Sequence, residues 1–304
     1  MIPGLPPRQP GGPTTVVVSP HLDDAVFSCG ASVLAERAAG RGVLVVTLFS
    51  AGPGYERRRA EEEAATALLG VDAFLAGLPD APFRHEGYRS LPGIVFGVSE
   101  RDVPARMEAE ELLASLLETV GPERVLAPLG VGRHVDHRIA FEAALAAARR
   151  TGTPLQLYED RPYSLVEGAV EHRLREVGAA DGAPFDVEGF VGRLLEAPYV
   201  VRHLAGEDEA REVRTRYHSL TARFPESPLL PVEPSVVRLP DAQLPRLEAA
   251  VASYASQAEA FFGPLPAWRL ASRIYSSSLS ESVIYAERTW RVLPSETGAA
   301  PPPP

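Results

Sequence analysis

The sequence predicts an α/β protein with a doubly wound, mostly parallel sheet, an arrangement of Rossmann-like type. Along the first half of the chain, short β-branched runs alternate with amphipathic stretches of ten or more residues, which is the pattern of βαβ units. The first of these runs, residues 14–18, is apolar on both faces, as a buried parallel strand requires. Gly40, Gly70 and Gly121 each follow an amphipathic stretch and indicate where a helix ends.

The elements are predicted in order as follows. The strands are predicted at residues 14–18, 43–49, 73–78, 124–128 and 154–158. The helices between them are predicted at residues 24–39, 56–69, 105–119 and 137–150. Beyond residue 165 the strand signal fades, and helices are indicated at residues 165–178, 186–195, 206–222 and 242–262, with the proline-rich stretch 225–234 before the last.

This pattern predicts four parts of the chain. Residues 14–165 form a metal-binding catalytic core, and residues 166–291 form a helical C-terminal extension that packs on the core and shapes the substrate pocket. Residues 1–13 are a flexible lead rich in proline and glycine, and residues 292–304 are a disordered proline-rich tail.

Composition excludes several classes of protein. A formal net charge of −10 argues against a nucleic-acid-binding surface, which needs a concentrated basic patch. The apolar runs are far shorter than the ~20 residues that cross a bilayer. The single cysteine, Cys29, excludes an internal disulfide and a cysteine-based metal cluster. The N-terminal residues are broken by prolines and lack a signal-peptide pattern, so a cytoplasmic protein is expected. The sequence leaves open whether the chain forms a homo-oligomer.

The first chemically informative segment, residues 19–24, follows the first predicted strand. In open parallel sheets, ligands bind beyond the carboxyl ends of the strands. A dinucleotide site would need a glycine-rich turn here; instead the chain has His21 followed by Asp23 and Asp24. Two carboxylates would repel phosphate, but one can bind a metal while the other acts as a base. The ordinary alternative is that one of these aspartates only caps the following helix.

The second segment, residues 130–137, follows the predicted strand 124–128 and contains His134, Asp136 and His137. A histidine pair at i and i+3 is often just surface-exposed. Here it enters a helix at the same predicted sheet edge as His21, and His21, Asp24 and His137 together would leave the fourth position of a zinc ion open, as in a catalytic site. The joint occurrence of the two segments therefore favours a metal site.

At these residues the chain resembles the PIG-L or LmbE-like family of zinc-dependent N-deacetylases. That family has a His-Pro-Asp-Asp-Glu motif after its first strand and a His-x-Asp-His motif about a hundred residues later. Here the motifs are His21-Leu22-Asp23-Asp24-Ala25 and His134-Val135-Asp136-His137, and weaker similarities extend from about residue 14 to residue 291.

The resemblance implies a role for each motif residue. It implies Zn²⁺, or another divalent ion such as Fe²⁺, held by His21, Asp24 and His137. Asp23 would be the free carboxylate that deprotonates the attacking water. The second motif would supply His134, which stabilises the oxyanion or protonates the leaving amine, and Asp136, which fixes the tautomer of His134 and raises its pKa.

Two further residues are candidates for substrate binding. Asp80 follows the third predicted strand and could accept a hydrogen bond from a sugar hydroxyl, although capping a turn is an ordinary alternative. Arg59 lies one helical turn before Glu62 and is placed near the substrate, although such a pair is often only a solvated ion pair.

The first motif departs from the family pattern at two positions. Leu22 replaces proline, which should loosen the turn without touching the chemistry. Ala25 replaces glutamate and removes a hydrogen bond that would orient a neighbouring group; such losses typically cost about 10 to 100-fold in metal affinity or activity.

The function expected from these residues is removal of an N-acyl group, in the first place acetyl, from an amino sugar or glycosylated small molecule. Two alternatives stay open. The same metal site could add water to an unsaturated carboxylic acid, or the chain could be a non-catalytic sugar- or metal-binding protein whose site has degenerated at Ala25.

Overall fold

The computed structural model describes residues 4–5, 13–97, 100–180, 184–225, 229–281 and 283–294. Its strands form one mixed sheet, in the order β3-β2-β1-β4-β5-β7-β6. The strands are β1 (Pro13–Ser19), β2 (Gly42–Thr47), β3 (Asp72–Leu75), β4 (Arg124–Pro128), β5 (Leu155–Tyr158), β6 (Val232–Arg238) and β7 (Ala286–Val292). The predicted lead at residues 1–13 and tail at residues 292–304 lie largely outside the described residues.

Helices cover both faces of this sheet. Those that follow the first four strands are α1 (Asp24–Ala38), α2 (Glu56–Leu69), α3 (Ala81–Arg84), α4 (Leu91–Phe96), α5 (Val103–Val120) and α6 (Val135–Thr151). The later ones are α7 (Ala169–Glu176), α8 (Val187–Glu196), α9 (Pro198–Val201), α10 (Glu207–Thr221), α11 (Leu244–Ser253), α12 (Ala255–Phe262) and α13 (Leu265–Leu279). Along the described residues, every helix is too short or too polar to cross a lipid bilayer.

The central strands are apolar on both faces because both faces are covered. In β1, Val16 and Val18 pack into the core beneath α5 and α6, whereas Val17 packs into the core beneath α1, α2 and α11. Successive side chains of a strand point to opposite faces, so one run of valines serves two cores. The predicted doubly wound sheet is confirmed.

The sheet contains more than the first half of the chain. The first five strands are parallel, while β7 pairs antiparallel with β5 and β6 pairs antiparallel with β7. Two strands therefore lie beyond residue 165, where the strand signal fades and only helices were predicted. The signal was weak because β6 is the outer strand, is largely exposed and contains Pro234, a residue that edge strands tolerate.

Strand β7 also holds α1 in place. The Glu287 carboxylate accepts hydrogen bonds from the backbone N–H groups of Ala31 and Ser32, at 2.8 and 3.0 Å. These groups lie just after Cys29, where the φ/ψ angles of α1 leave the helical region. The glutamate thus satisfies the amides that this break exposes, and the C-terminal part of the chain becomes part of the core.

The sheet order places a crevice beside β1. Strand β1 continues through α1 to β2 on one side, and its other neighbour is β4. Connections leave in opposite directions at such a point, and ligands of doubly wound sheets bind at the carboxyl ends of the strands there. Both histidine-containing segments emerge at this crevice.

Candidate metal centre and active site

The first segment forms a tight turn between β1 and α1. The Ser19 hydroxyl donates to the carbonyl oxygen of His21 (2.7 Å) and accepts from the N–H of Ala25 (3.0 Å). Asp23 has a φ of 144° and stands before the first residue of α1, but its side chain makes no capping hydrogen bond. A positive φ at a residue other than glycine costs about 1 to 3 kcal/mol. Helix capping therefore does not explain Asp23.

The second segment enters α6 by a loop with two glycines. Gly132 has a φ of +81°, and a Cβ atom there would lie 2.3 Å from the ring of Tyr163, so only glycine fits. His134 precedes α6 and its Nδ1 accepts a hydrogen bond from the N–H of Asp136 at 3.2 Å. His137 lies within the first turn of α6 and is 1% exposed.

The two segments bring three potential metal ligands together. Asp24 Oδ2 lies 3.2 Å from His21 Nδ1 and 3.3 Å from His137 Nε2. Ligands that bind zinc tetrahedrally at about 2.0 to 2.2 Å lie roughly 3.4 Å from one another, so these separations suit one shared ion. His134 also presents a nitrogen within 4.8 Å of nitrogens of both His21 and His137, so the three histidines form a further group of potential metal ligands.

A buried carboxylate orients His137. Asp160 Oδ1 lies 2.6 Å from His137 Nδ1, while Asp160 Oδ2 accepts from the N–H groups of Gly130 and Val131, both at 2.8 Å. A carboxylate oxygen that accepts here places a proton on His137 Nδ1, so Nε2, which faces Asp24, is the nitrogen that could bind a metal. This is the usual partner arrangement of a metal-binding histidine.

Adjacent aspartates of the first segment titrate in opposite directions. Burial alone would raise the pKa of Asp24, but His137 and His21 lower it to about 2. Burial and the neighbouring Asp24 raise the pKa of Asp23 well above its ordinary value, although Arg58 opposes this. Asp24 is thus anionic at neutral pH, and Asp23 can exchange a proton.

The environment of His134 differs from the expectation. The Asp136 carboxylate does not reach the His134 ring; it lies 3.0 Å from His21 Nε2, 2.6 Å from Arg84 Nη1, and accepts from the N–H of Ala81 at 3.0 Å. Burial and the nearby His21 lower the pKa of His134 to about 3. The negative charge of Asp136 does raise the pKa of His134, as expected, but burial and His21 outweigh it, so His134 is neutral at pH 7.

Asp80 lies beside this cluster. Its Oδ1 is 3.5 Å from His21 Nε2, and its Oδ2 is 3.8 Å from Arg58 Nη1 and accepts a hydrogen bond from the Tyr55 hydroxyl. Burial alone would raise the pKa of Asp80, but His21 holds it well below its ordinary range. With His21 and Asp136, Asp80 forms a second group of donor atoms within 4.8 Å of one another.

The candidate arginine lies one residue away from the site. Arg59 is exposed, and its Nε donates to the carbonyl oxygen of Ser50. The preceding Arg58 lines the cavity, with Nη2 3.4 Å from Asp23 Oδ2. Since Glu62 bonds to Thr47 and Tyr254, the i, i+3 pair of Arg59 with Glu62 does not form among the described residues.

One cavity of about 410 Å³ is lined by the main residues of this cluster, namely His21, Asp23, Asp24, Arg58, Asp80, His134 and His137. One end is polar and holds the histidines, Asp23, Asp80 and Arg58. The other end is lined mainly by apolar side chains from α4, α8, α9, α10 and α12, among them Leu91, Ile94, Val95, Leu194, Val200 and Phe261. The volume is that of a small-molecule site.

The fold and this histidine and carboxylate cluster point to the deacetylase class of hydrolases. The chain belongs to the PIG-L family, described as GlcNAc-PI de-N-acetylase, which matches residues 16–148. A 2'-N-acetylparomamine deacetylase of Streptomyces fradiae is 34% identical over 220 residues, covering 65% of this chain and 76% of that protein.

Solved structures of related fold include two deacetylases. The A40926 pseudoaglycone deacetylase Dbv21 matches with a TM-score of 0.61 and 23% identity, covering 92% of this chain and 97% of the other. The zinc-inhibited form of the teicoplanin deacetylase Orf2 matches with a TM-score of 0.64 and 20% identity, covering 93% and 99%. At these identities the two structures support the fold alone.

Sequence reasoning missed Asp160, Arg58 and Tyr163 as residues of the site. Asp160 lies two residues after the end of β5. This position near the end of a strand was the one signal in the sequence that could have identified it. Choosing Arg58 over Arg59 requires knowing how α2 is rotated about its axis relative to the cavity. Tyr163, whose ring packs against His137, carries no sequence signal of its own.

Proposed function

We propose that the protein is a metal-dependent hydrolase that removes an acyl group, in the first place acetyl, from the nitrogen of an amino sugar in a small molecule. The single observation that carries this proposal is the placement of Asp24 Oδ2 between His21 Nδ1 and His137 Nε2, with Asp23 and His134 beside it. The deacetylase of Streptomyces fradiae supports the choice of reaction and of an N-acetylated amino sugar.

His21, Asp24 and His137 would hold the divalent ion. When bound, such an ion polarises a carbonyl and lowers the pKa of water toward ~7. Asp160 would keep His137 in the tautomer whose Nε2 can bind, and the carboxylate of Asp24 would supply the negative charge that offsets the ion. We propose zinc or another divalent ion such as Fe²⁺. Because the structurally similar Orf2 has a zinc-inhibited form, the activity should be compared with different divalent ions.

Asp23 would act as the general base. It is 2% exposed and its raised pKa brings it nearer to neutral pH, where a base is most effective. Asp23 would take a proton from the attacking water as the oxygen adds to the amide carbonyl, and would return it to the departing amine. The guanidinium of Arg58 would keep the carboxylate in place and limit how far its pKa rises.

His134 would stabilise the oxyanion as a neutral donor. Its Nδ1 accepts from the N–H of Asp136, so its proton is on Nε2. A neutral imidazole with Nε2–H can donate to the oxygen that becomes negative when the carbonyl is attacked. Of the two roles expected for His134, this geometry supports oxyanion stabilisation.

The two ends of the cavity suggest how the substrate lies. Asp80 and Arg58 would hydrogen-bond the hydroxyl groups of the sugar next to the amide. The apolar end, formed by residues such as Leu91, Val95 and Phe261, would bind an apolar aglycone or acyl extension. We therefore propose a substrate in which the N-acyl amino sugar carries an apolar group.

An acetate-release assay tests this function. The purified protein is incubated with N-acetylglucosamine and with its phenyl glycoside, before chelation, after chelation, and after Zn²⁺, Fe²⁺ or Co²⁺ is restored. We expect metal-dependent acetate release, a higher kcat/KM for the phenyl glycoside, and a loss of about 10³-fold or more in Asp23→Asn.

The rival functions give different results in the same assay. A hydratase would release no acetate but would consume an unsaturated carboxylic acid with the same dependence on metal. A binding protein would do neither and would tolerate Asp23→Asn. Activity that is unaffected by chelation would rule out the proposed role of His21, Asp24 and His137.

A further inference from the structure

A second cavity of about 580 Å³ lies apart from the candidate active site and shares no lining residue with it. It is formed by α5, α6, α7, the loop before α6 and the chain that follows α10. Among the residues that the structure describes, six arginines and three glutamates line it. In a chain with a net charge of −10 this is a local excess of positive charge. We call it the arginine pocket; its arginines are Arg106, Arg133, Arg138, Arg149, Arg173 and Arg223.

Two of these guanidinium groups share one close carboxylate, and a third has none in the part of the chain that the structure describes. The side chains of Arg133 and Arg173 are only 5% and 4% exposed, and both contact Glu176, which lies 2.9 Å from Arg173 Nη1. Glu142, the next acid along the wall, is already paired with Arg106 at 3.4 Å. Within the described residues, Arg138 has no ion-pair partner.

Several donors in the arginine pocket are unsatisfied. Among the described residues, the buried Nε atoms of Arg133 and Arg138 find no hydrogen-bond acceptor. Burial and the neighbouring Arg138 lower the pKa of Arg133 to about 9, and burial together with both neighbours lowers that of Arg173. A buried cation without a full partner is costly, so an anion that entered here would be bound strongly.

The remaining wall of the arginine pocket is apolar. It includes Met107, Phe141, Leu145, Leu220, Phe224 and Leu230. A free inorganic ion would leave this surface in contact with water, whereas an organic anion would cover it. The ligand should therefore have a charged head and an apolar body.

We propose that the arginine pocket binds an organic phosphate monoester, with the phosphate among Arg133, Arg138 and Arg173 and the apolar substituent against Phe141 and Leu145. Arg133 and Arg173 share Glu176, and Arg138 has no ion-pair partner among the described residues. These three guanidinium groups therefore carry about two positive charges beyond the charge of Glu176, which matches the ≈ −1.5 to −2 charge of a phosphate monoester at pH 7. The planar donor fork of arginine suits phosphate oxygens. This site is independent of the proposed deacetylase function.

Thermal unfolding of the metal-free protein tests the site, with phenyl phosphate as the probe. A ligand that binds only the folded state raises the Tm, and at several times its Kd we expect a rise of about 2 to 4 °C. Equal concentrations of inorganic phosphate and of phenol should each give less than half of this rise. Calorimetric titration should give one site per chain.

Four variants locate the binding. Arg138→Gln should lose the rise, and its own Tm without ligand should be unchanged or higher because a buried cation without a partner is removed. Met107→Glu places a negative charge at an exposed rim position and should weaken binding by about tenfold without affecting folding. Two control variants should keep the full rise in Tm. They are Arg150→Gln, at an exposed position of α6, the helix that carries Arg138, and Arg58→Gln, in the other cavity.

Three results would overturn the proposal. The first is that phenyl phosphate does not raise the Tm of the unmodified protein. The second is that it raises the Tm of Arg138→Gln and Met107→Glu as much as that of the unmodified protein. The third is that Arg58→Gln loses the rise, which would place the ligand in the first cavity. A rise with inorganic phosphate as large as that with phenyl phosphate would overturn the organic part of the proposal.

Discussion

Asp160 Oδ1 lies 2.6 Å from His137 Nδ1, and this contact decides which nitrogen of His137 is free. The other oxygen of Asp160 is held by two backbone N–H groups of the loop before α6, so the carboxylate cannot rotate away. Strand β5 thereby fixes the tautomer of a candidate ligand carried by α6, and the metal site depends on the pairing of β4 with β5.

Asp160→Asn should weaken metal binding by about 10 to 100-fold. If the asparagine oxygen keeps the two backbone N–H groups, its NH₂ group faces His137 Nδ1 and forces the proton onto Nε2, which then cannot bind a metal. The measurement is the metal retained against a graded chelator. Asp72→Asn, at an exposed position of β3, is the control, and equal retention in the two variants would contradict the role of Asp160.

Arg58→Gln should lower kcat/KM for the amino-sugar substrate by about 10 to 100-fold, because a charge-assisted hydrogen bond worth about 1.5 to 3 kcal/mol is lost. The matched control is the next residue: Arg59→Gln should stay within about twofold, since Arg59 points to Ser50 and solvent. Steady-state kinetics on both variants decides the matter. A loss in Arg59→Gln as large as in Arg58→Gln would restore Arg59 as the substrate residue.

The two arginines show where sequence reasoning reaches its limit. Successive residues of a helix are rotated by about 100°, so Arg58 and Arg59 point in different directions, although α2 has the bounds that were predicted for it. The central strands were predictable because the valines of β1 and β2 are apolar on both faces, a local signal. The two motifs were predictable because each follows such a strand.

Features that depend on pairing between distant segments were not predictable. Glu287 is useful only because β7 brings it to the break in α1, 256 positions away from Ala31. Asp136 was assigned to its sequence neighbour His134, yet its carboxylate bonds to His21 and Arg84. In both cases the topology of the sheet determines the bonding partner, and local sequence patterns do not show which distant segments the topology brings together.

His134→Ala should lower kcat by about 10² to 10³-fold with little change in KM, as expected when a donor to the oxyanion is removed. His134→Asn can still donate and should recover part of this loss. His203→Asn, at an exposed position of the same cavity, is the control. An effect of His134→Ala confined to KM would assign His134 to substrate binding instead.

Glu287→Ala should destabilise the fold by about 3 kcal/mol, because it leaves the N–H groups of Ala31 and Ser32 buried without an acceptor. The measurement is urea unfolding. Glu233→Ala, on the exposed strand β6, removes only a surface ion pair with Arg291 and should cost less than about 1 kcal/mol. Equal losses in the two variants would mean that the break in α1 does not depend on β7.

Glu62→Gln should make stability less dependent on pH. Burial raises the pKa of Glu62 from its ordinary 4.5 to about 7, even though Tyr254 and Thr47 donate to it. Between these values the folded state binds more protons than the unfolded state, so Glu62 lowers the free energy of unfolding as the pH rises from about 4.5 through 7. The loss approaches roughly 3 kcal/mol above pH 8.

Glutamine keeps an acceptor for Tyr254 and does not titrate, so Glu62→Gln should match the parent protein near pH 4.5 and exceed its stability at pH 8. Glu63→Gln, exposed on the same helix, should follow the parent at both pH values, and a Glu62→Gln curve parallel to that of the parent would show that Glu62 titrates normally.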